Sequence, residues 1–500
     1  MTDRVPDLAT RVSIETEFGS AVDARLTADV ARIADMVRQP SVSIDGLGVR
    51  ESGHQLADAL RELGCDEVEV VDTPAHPVVW AYLDAGADRT LVNYGMYDTR
   101  PTGDPKSWTG GDPFSGTVAP ADGFPAVMYG RGGLVPKGPT VAWLAAITTY
   151  REARGQLPFN IAFLFEGSEI IGSPGYLDVA ARYADRITDP FGCVYLRASQ
   201  KLTGEMQLFL GYKAFFTIEL TASGASWGRG PSTAAVHSAN RTIVDSPTER
   251  LVHALSTLVT PDGEIAVEGW RPGYTGDVLR PTEKPLVDAL VERYRGAPWQ
   301  EVMPGLAGGG VERFAGDVLG KDVLDRYLYA SSLNIQGLYA GYTGPGTRTY
   351  TIPSAASALL DLRLVTDQST DEVIGALREH LDAHGYRDIE MDVRGAFDGW
   401  TSSPDSPLVS AFVDASEQFG ASMDLWPRTG GGGPWAALAR RFDVPVIMGA
   451  GVGTGKRGGA VDEYLVIDGG GRAPGLREME LFGITFIDDL GRVLAAEENR

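Results

Sequence analysis

The chain has 500 residues, 43% of them hydrophobic and 22% charged, and a formal net charge of −23. That length exceeds what one hydrophobic core usually supports, so we expect two domains. The composition is ordinary for a globular protein, and the negative charge argues against nucleic acid or an anionic membrane surface as a partner.

The N-terminal segment and the cysteines indicate the compartment. Residues 1–19 lack the apolar core of a signal peptide, and no segment is apolar for long enough to span a bilayer. Cys65 and Cys193 lie in apolar or helical contexts, which favours reduced core thiols. We therefore expect a cytoplasmic protein.

Short β-rich runs and segments with helical spacing of apolar residues alternate in the first part of the chain. The predicted helices cover residues 21–39, 55–63, 137–150 and 176–183, and the predicted strands cover residues 67–71, 78–83, 90–94, 160–165 and 193–196. Strands that alternate with helices predict an α/β sheet whose strands are mostly parallel.

The pattern changes near Leu208 and returns to the first type near Asp398. Between them, strands are predicted at 214–222, 334–338, 355–364 and 388–393, and helices at 247–258 and 371–384. Helices at 407–419 and 475–496 and a strand at 445–448 follow. We predict that an α+β domain with an antiparallel sheet, residues 208–397, is inserted into an α/β domain made of residues 1–207 and 398–500.

Glycine-containing polar segments follow several predicted strands. They are GMYDTRP at residues 95–101, YGRG at 129–132, KGP at 137–139 and EGSEIIGS at 166–173. Active sites of open α/β sheets gather at such strand ends. A glycine turn explains each segment taken alone, but their order and spacing together are far more specific.

In this order the segments resemble the metallopeptidase family of carnosine dipeptidase, glutamate carboxypeptidase and succinyl-diaminopimelate desuccinylase. The resemblance covers nearly the whole chain. It implies an α/β fold in which a zinc-peptidase-like catalytic domain carries an inserted α+β lid, and a homodimer formed through that lid. Asp98 and Glu169 match the family's catalytic aspartate and its general base.

The resemblance also implies five zinc-ligand positions, and none of them carries a zinc ligand in this sequence. They fall on Met96, Val135, Ile170, Arg197 and Gly459. Zinc in proteins is bound by His nitrogen, Cys thiolate or carboxylate oxygen, and a thioether, an aliphatic chain or a guanidinium does not replace these donors. We therefore expect no metal and no other cofactor.

Other family positions are retained. His237 matches a lid histidine that reaches the partner's active site and stabilises an oxyanion, although an ordinary buried or surface histidine is an equal alternative. Arg363 matches the arginine that binds a substrate carboxylate, or it is a strand arginine in a surface pair. Arg428, Gly431 and Gly432 resemble a Gly-Gly-Ser-x-Pro loop near the substrate's end, with Gly432 in place of the serine.

Arg197 is the substitution with the largest electrostatic effect. It would bring a fixed positive charge to a zinc position, where it could bind a substrate carboxylate or a developing oxyanion. An ion pair with Asp98 or Glu169 is the equal alternative. Burial beside apolar residues should raise the pKa of Glu169, and Arg197 should oppose that rise.

Three functions remain open from the sequence. The main prediction is a metal-independent enzyme with Glu169 as general acid or base and a small amino-acid-derived or N-acyl substrate. Its chemistry would be acyl transfer, cyclisation, amide hydrolysis or another proton transfer, biosynthetic or directed at an amide bond. The alternatives are a catalytically inactive binding or regulatory homologue, and a zinc dipeptidase or amidohydrolase with an atypical site.

Overall fold

Helices and strands alternate through the computed structural model, which describes residues 8–109, 111–271, 281–306, 309–342, 344–346, 350–365 and 368–498. The α-helices of this part are α1 Leu8–Arg38, α2 Val49–Glu62, α3 Gly138–Arg154, α4 Tyr176–Tyr183, α5 Gly224–Trp227, α6 Pro247–Leu258, α7 Lys284–Arg293, α8 Trp299–Val302, α9 Lys321–Tyr329, α10 Thr370–Ala383, α11 Pro407–Glu417, α12 Pro434–Phe442 and α13 Leu476–Glu498.

The strands lie between and beside these helices. In chain order they are β1 Glu67–Val71, β2 Val78–Leu83, β3 Thr90–Met96, β4 Thr117–Ala121, β5 Phe124–Tyr129, β6 Asn160–Glu166, β7 Pro190–Leu196, β8 Glu205–Phe209, β9 Gly211–Tyr212, β10 Ala214–Ser223, β11 Val236–His237, β12 Ser332–Ala340, β13 Thr351–Ile352, β14 Ala355–Leu364, β15 Glu390–Phe397, β16 Trp400–Thr401, β17 Ser422–Trp426, β18 Val446–Ala450, β19 Gly455–Lys456 and β20 Tyr464–Asp468.

A six-stranded sheet has the order β1-β2-β6-β3-β7-β18. It belongs to the first of two compact units, whose residue ranges are given below. The pairs β6–β3, β3–β7 and β7–β18 are parallel, whereas β1 and β2 pair antiparallel at one edge. Every residue of β3 and β6 is buried. Helices α2, α3 and α11 pack with strands of this sheet, and burial on both faces explains why β3 and β6 read as continuous apolar runs.

The second unit contains an antiparallel sheet with the order β12-β14-β10-β15. Buried and half-buried residues alternate strictly along β10, and nearly so along β14. Leucine side chains of α6 and α10 lie in the same apolar core as the buried residues of these strands. One face of this sheet therefore carries the core, which is the usual origin of a period of two in a strand sequence. The predicted mixed α/β fold class is confirmed.

The chain divides into two compact units. The first comprises residues 1–210, 401–426 and 437–500, and the second comprises residues 211–400 and 427–436. Residues 427–436 group with the second unit, whereas the prediction counted them with the first. Their place follows from the Arg428–Glu283 ion pair and from a backbone hydrogen bond between the Lys213 N–H and the Gly431 carbonyl.

Both cysteines are free thiols, Cys193 buried and Cys65 half-buried. Burial raises the pKa of each to about 12, so both stay protonated. Within the described residues no helix combines the length and the apolar character needed to cross a membrane. The cytoplasmic location remains a prediction.

Candidate active site

The candidate site lies at the carboxyl ends of the parallel strands of the first unit. Met96 and Glu166 end β3 and β6 and are register partners, and β7 ends beside them at Leu196. Parallel strands end at the same edge of a sheet, so the segments that follow them converge there. Asp98 and Arg197 lie just past strand ends, and Glu169 begins a single 3-10 turn, Glu169–Ile171.

The structure brings most of the predicted first-unit residues to one cavity of about 160 Å³. The predicted residues that line it are Met96, Asp98, Val135, Glu169, Ile170, Arg197 and Gly459. Three charged residues outside the predicted set, Arg100, Arg131 and Glu463, also line the cavity. Sequence spacing alone did not reveal these three, although Arg100 and Arg131 belong to segments quoted above.

Asp98 is fully buried, and its carboxylate is held by three hydrogen-bond donors. The Ser43 hydroxyl donates at 2.6 Å, and the backbone N–H groups of Glu169 and Ile170 donate at 3.2 and 3.0 Å. Burial raises the pKa of Asp98 to about 6, and these hydrogen bonds oppose the rise. Asp98 therefore fixes the turn that carries Glu169.

Glu169 is half-buried, and its side chain makes no hydrogen bond or ion pair with the described residues. Burial raises its pKa to about 7, and the neighbouring charge of Asp98 adds to the rise. The guanidinium groups of Arg197 and Arg100 lower the same pKa. A carboxyl group that titrates near neutrality suits proton transfer.

Arg197 forms no ion pair with Asp98 or Glu169, so that alternative from the sequence is not realised. Its backbone N–H donates to the Ala450 carbonyl at 3.0 Å, while its half-buried side chain lines the cavity. The electrostatic effect of Arg197 on Glu169 acts through space.

A buried ion pair forms another part of the cavity wall. Arg131 donates to Glu463 at 2.7 Å, and both side chains are at most 1% exposed. Glu463 also accepts hydrogen bonds from the backbone N–H groups of Gly132, Leu134, Val135 and Gly459 at 3.0–3.2 Å. One carboxylate thus joins the turn after β5 to the segment before β20.

A separate group of cationic side chains lies in the second unit. Arg363 pairs with Asp361 at 2.8 Å, and its guanidinium lies 3.9 Å from the centre of the Phe215 ring. Arg428 is buried and pairs with Glu283 at 2.7 Å. Burial lowers the pKa of the Lys213 ammonium to about 7, and the charges of Arg428 and Arg363 lower it further.

Gly432 lies directly beside this group. A Cβ at this position would lie 2.3 Å from the Lys213 carbonyl oxygen and 3.0 Å from the Phe215 Cβ. A serine there would therefore collide with backbone, which explains the glycine. Gly431 contributes its carbonyl to the Lys213 N–H at 3.1 Å.

His237 is exposed at the end of β11. Its ring Nδ1 accepts a hydrogen bond from the backbone N–H of Ala239 at 3.1 Å. This position agrees with the alternative of an ordinary surface histidine, and the catalytic role stays a prediction.

The sequence profile described as "Peptidase family M20/M25/M40" matches residues 94–470. The chain belongs to this peptidase family. The Cys-Gly metallodipeptidase dug1 of Schizosaccharomyces pombe is 25% identical over 499 residues, which cover 94% of this chain and 97% of the relative. The Beta-Ala-His dipeptidase of Homo sapiens is 27% identical over 348 residues, which cover 65% and 62%.

Solved structures show the same fold. The M20 family metallo-carboxypeptidase Sso-CP2 from Sulfolobus solfataricus has a TM-score of 0.77 and 24% identity, with coverage of 93% of this chain and 99% of that chain. Human carnosine dipeptidase 1 has a TM-score of 0.70 and 22% identity, with coverage of 96% and 100%.

These relatives correct the main function predicted from the sequence. We predicted metal-independent chemistry, and that prediction is contradicted because two of the similar curated proteins are named metallodipeptidases, one of them along nearly the whole chain. Substitution at five matched positions was too narrow a basis for the prediction. The alternative of a zinc dipeptidase or amidohydrolase with an atypical site agrees better with the comparisons.

The residues of the cavity do not fit a pair of zinc ions. In the part of the chain that the structure describes, no group of three or more His, Cys, Asp or Glu side chains is arranged to hold a metal ion. Both oxygens of Asp98 accept hydrogen bonds, and Glu463 is occupied by five donors. Family membership and the donor set thus point in different directions.

Proposed function

We propose that this protein hydrolyses the amide bond of small peptides, dipeptides above all, with Glu169 as the general base. Membership of the peptidase family supports the reaction class, and the names of the relatives support dipeptides as substrates. The observation that carries the proposal is the Glu169 carboxyl, which lines a cavity at the strand ends and titrates near pH 7. Such a group accepts a proton from an attacking water and returns it to the leaving amine.

The test is a peptidase assay of the full chain on a dipeptide panel that includes Cys-Gly and β-Ala-His. Glu169→Gln should reduce kcat by a factor on the order of 10²–10⁴. Glu62→Gln is the matched control, because Glu62 is exposed and pairs only with Arg32 at the surface. Full turnover by Glu169→Gln would refute the role, and failure to cleave any peptide would refute the reaction class.

The same assay is run with EDTA and with added zinc or manganese, because the relatives are named metallodipeptidases. Activity that appears only with added metal assigns this chain the requirement of its relatives. If the activity is the same with EDTA and with added metal, we assign it to Glu169 and the other residues of the cavity.

The second-unit cations are proposed to bind the substrate's terminal carboxylate. Arg363 and Arg428, each with one acidic partner, lie with Lys213 beside the Gly431–Gly432 backbone, and arginine binds carboxylates in a bidentate manner. Arg363→Gln should raise KM more than it lowers kcat, whereas Arg394→Gln, an exposed arginine on β15, should change neither. An unchanged KM in Arg363→Gln would exclude this role.

We also propose a homodimer formed through the second unit. The β12 strand is an edge of its sheet, and it exposes Ile335, Leu338 and Tyr339 at 41%, 55% and 73%. An exposed apolar edge strand is a ready surface for pairing with a second copy. Light scattering of the wild type should give twice the monomer mass, and Leu338→Lys with Tyr339→Lys should give the monomer.

The dimer proposal includes His237, which the family resemblance assigns to the partner's active site. If His237 acts on the partner, mixed dimers of His237→Ala and Glu169→Gln contain one site with both side chains. Refolding the two inactive variants together should then restore part of the activity. No recovery from a verified mixed dimer would contradict action on the partner.

A further inference from the structure

Two guanidinium groups line the first-unit cavity without a partner. Within the described residues, the side chains of Arg100 and Arg197 form no hydrogen bond and no ion pair. Arg131, in the same cavity, forms an ion pair with Glu463 and donates to the Ala460 and Pro101 carbonyls. Arg100 is exposed and Arg197 is half-buried, so both guanidinium groups are open to an anion that enters from solvent.

Two of the three carboxyl groups in the cavity lining already have hydrogen-bond donors of their own. The Asp98 carboxylate is satisfied by the Ser43 hydroxyl and two backbone N–H groups. Glu463 is committed to Arg131 and to backbone donors. The lining holds three arginines and three carboxyl groups, whose charges balance when Glu169 is ionised. Of the three carboxyl groups, Glu169 is the one whose side chain has no hydrogen bond within the described residues, so it is the one left to face the two guanidinium groups.

A glycine lies close to each arginine side chain, and at Gly459 the approach is too close for a Cβ. A Cβ at Gly459 would lie 2.9 Å from the Arg100 Cδ, and a Cβ at Gly449 would lie 3.7 Å from the Arg197 Cδ. Both glycines have φ values near +75°, which disfavour larger residues. The backbone around the cavity is therefore compatible with these side chains as they stand.

We propose that this cavity binds the oxyanion of a small ligand, a carboxylate or a phosphate group, between Arg100 and Arg197. The guanidinium fork matches both groups in geometry and charge. The cavity of about 160 Å³ has room for such a group, but it is smaller than a typical pocket for a whole drug-sized ligand. Glu169 is positioned to accept a hydrogen bond from an ammonium or hydroxyl on the same ligand. The proposal concerns binding and does not depend on peptide hydrolysis.

The test is isothermal titration of the full chain with inorganic phosphate and, separately, with acetate, at pH 7 and low ionic strength. We expect one saturable site, and the anion that binds more tightly identifies a phosphate or a carboxylate as the preferred group. Arg197→Gln and Arg100→Gln should each weaken binding roughly tenfold or more, because each removes charge-assisted hydrogen bonds. Arg186→Gln, at an exposed pair with Glu67, is the matched control and should bind like the wild type.

A second variant separates loss of binding from loss of folding. Arg197→Lys keeps the charge but loses the fork, so its affinity should fall between those of the wild type and Arg197→Gln. Thermal melting verifies that each variant is folded. The proposal is overturned if neither anion binds, or if the double variant Arg100→Gln with Arg197→Gln binds like the wild type. It is also overturned if the wild type takes up stoichiometric zinc that Glu169→Gln no longer binds.

Discussion

The Arg100 side chain occupies the space that any side chain at Gly459 would need. A Cβ built on Gly459 lies 2.9 Å from the Arg100 Cδ and 3.4 Å from its Nε. Gly459 also has a φ of +75°, in the left-handed region. Two residues that are 359 positions apart therefore constrain each other, and a histidine at 459 is incompatible with Arg100 in its present position.

This relationship predicts the stability of glycine variants. Gly459→Ala should lower the free energy of unfolding by the left-handed strain, about 1–2 kcal/mol, plus the cost of displacing Arg100. Gly471→Ala is the matched control, since Gly471 has a φ of +74° and nothing within 4 Å of its Cβ position. Urea denaturation should show a larger loss for Gly459→Ala, and Arg100→Ala should remove the difference. Equal losses in the two single variants would show that the contact costs nothing.

The pH dependence of peptide hydrolysis should follow Glu169. Its pKa of about 7 predicts that kcat/KM rises with pH up to about 7 and then levels off, because only the ionised carboxylate acts as a base. Arg197 and Arg100 lower this pKa, so Arg197→Gln should move the acidic limb to higher pH. A profile measured from pH 5 to 9 checks both statements. If the acidic limb does not move in Arg197→Gln, then the limb does not report the ionisation of Glu169.

The buried ion pair between Arg131 and Glu463 should contribute more to stability than a surface pair. Glu463→Gln leaves Arg131 buried without its counter-charge, and breaking such a pair typically costs about 3–5 kcal/mol. In contrast, Asp72→Asn at the exposed pair with Arg50 should change the unfolding free energy by less than about 1 kcal/mol. Denaturant unfolding of both variants measures the difference. If both variants lose similarly little unfolding free energy, the hydrogen bonds from backbone N–H groups to residue 463 are sufficient to stabilise this part of the cavity.

Glu480 should make the protein less stable as pH rises. It is fully buried, neither carboxylate oxygen has a hydrogen-bond partner within the described residues, and burial with the nearby Asp29 charge raises its pKa to about 8. The folded state therefore keeps a proton that the unfolded state has already released above its ordinary pKa of about 4.3. The stability that the folded protein gains by keeping this proton is fully present below the unfolded pKa and is lost as pH rises through about 8.

Glu480→Gln should remove that loss. We expect it to be more stable than the wild type at pH 9, by a margin on the order of a few kcal/mol, and to differ little at pH 4. Thermal melting across this range gives the comparison, with Glu62→Gln as an exposed control. A pH-independent difference between Glu480→Gln and the wild type would mean that Glu480 does not titrate in this range.

Much of the fold could be predicted because the relevant signals are local. The strands Glu67–Val71, Val78–Leu83 and Ala355–Leu364 begin and end at the predicted residues. Period-two alternation arises wherever one face of a strand is buried, and an apolar run arises wherever both faces are. Helix α1 begins at Leu8, well before the predicted start, because few apolar residues mark its first turns.

The sequence by itself determined the succession of elements, the family, and the residues that follow each strand. Only the tertiary structure decided which distant residues meet: Arg100 beside Gly459, Glu463 on Arg131, and Arg428 on Glu283 across 145 positions. The physical reason is that secondary structure depends on the spacing of near neighbours along the chain. Ionisation and ion pairing depend on burial and distances between distant segments, which fall off within a few ångströms and leave no periodic trace in a sequence.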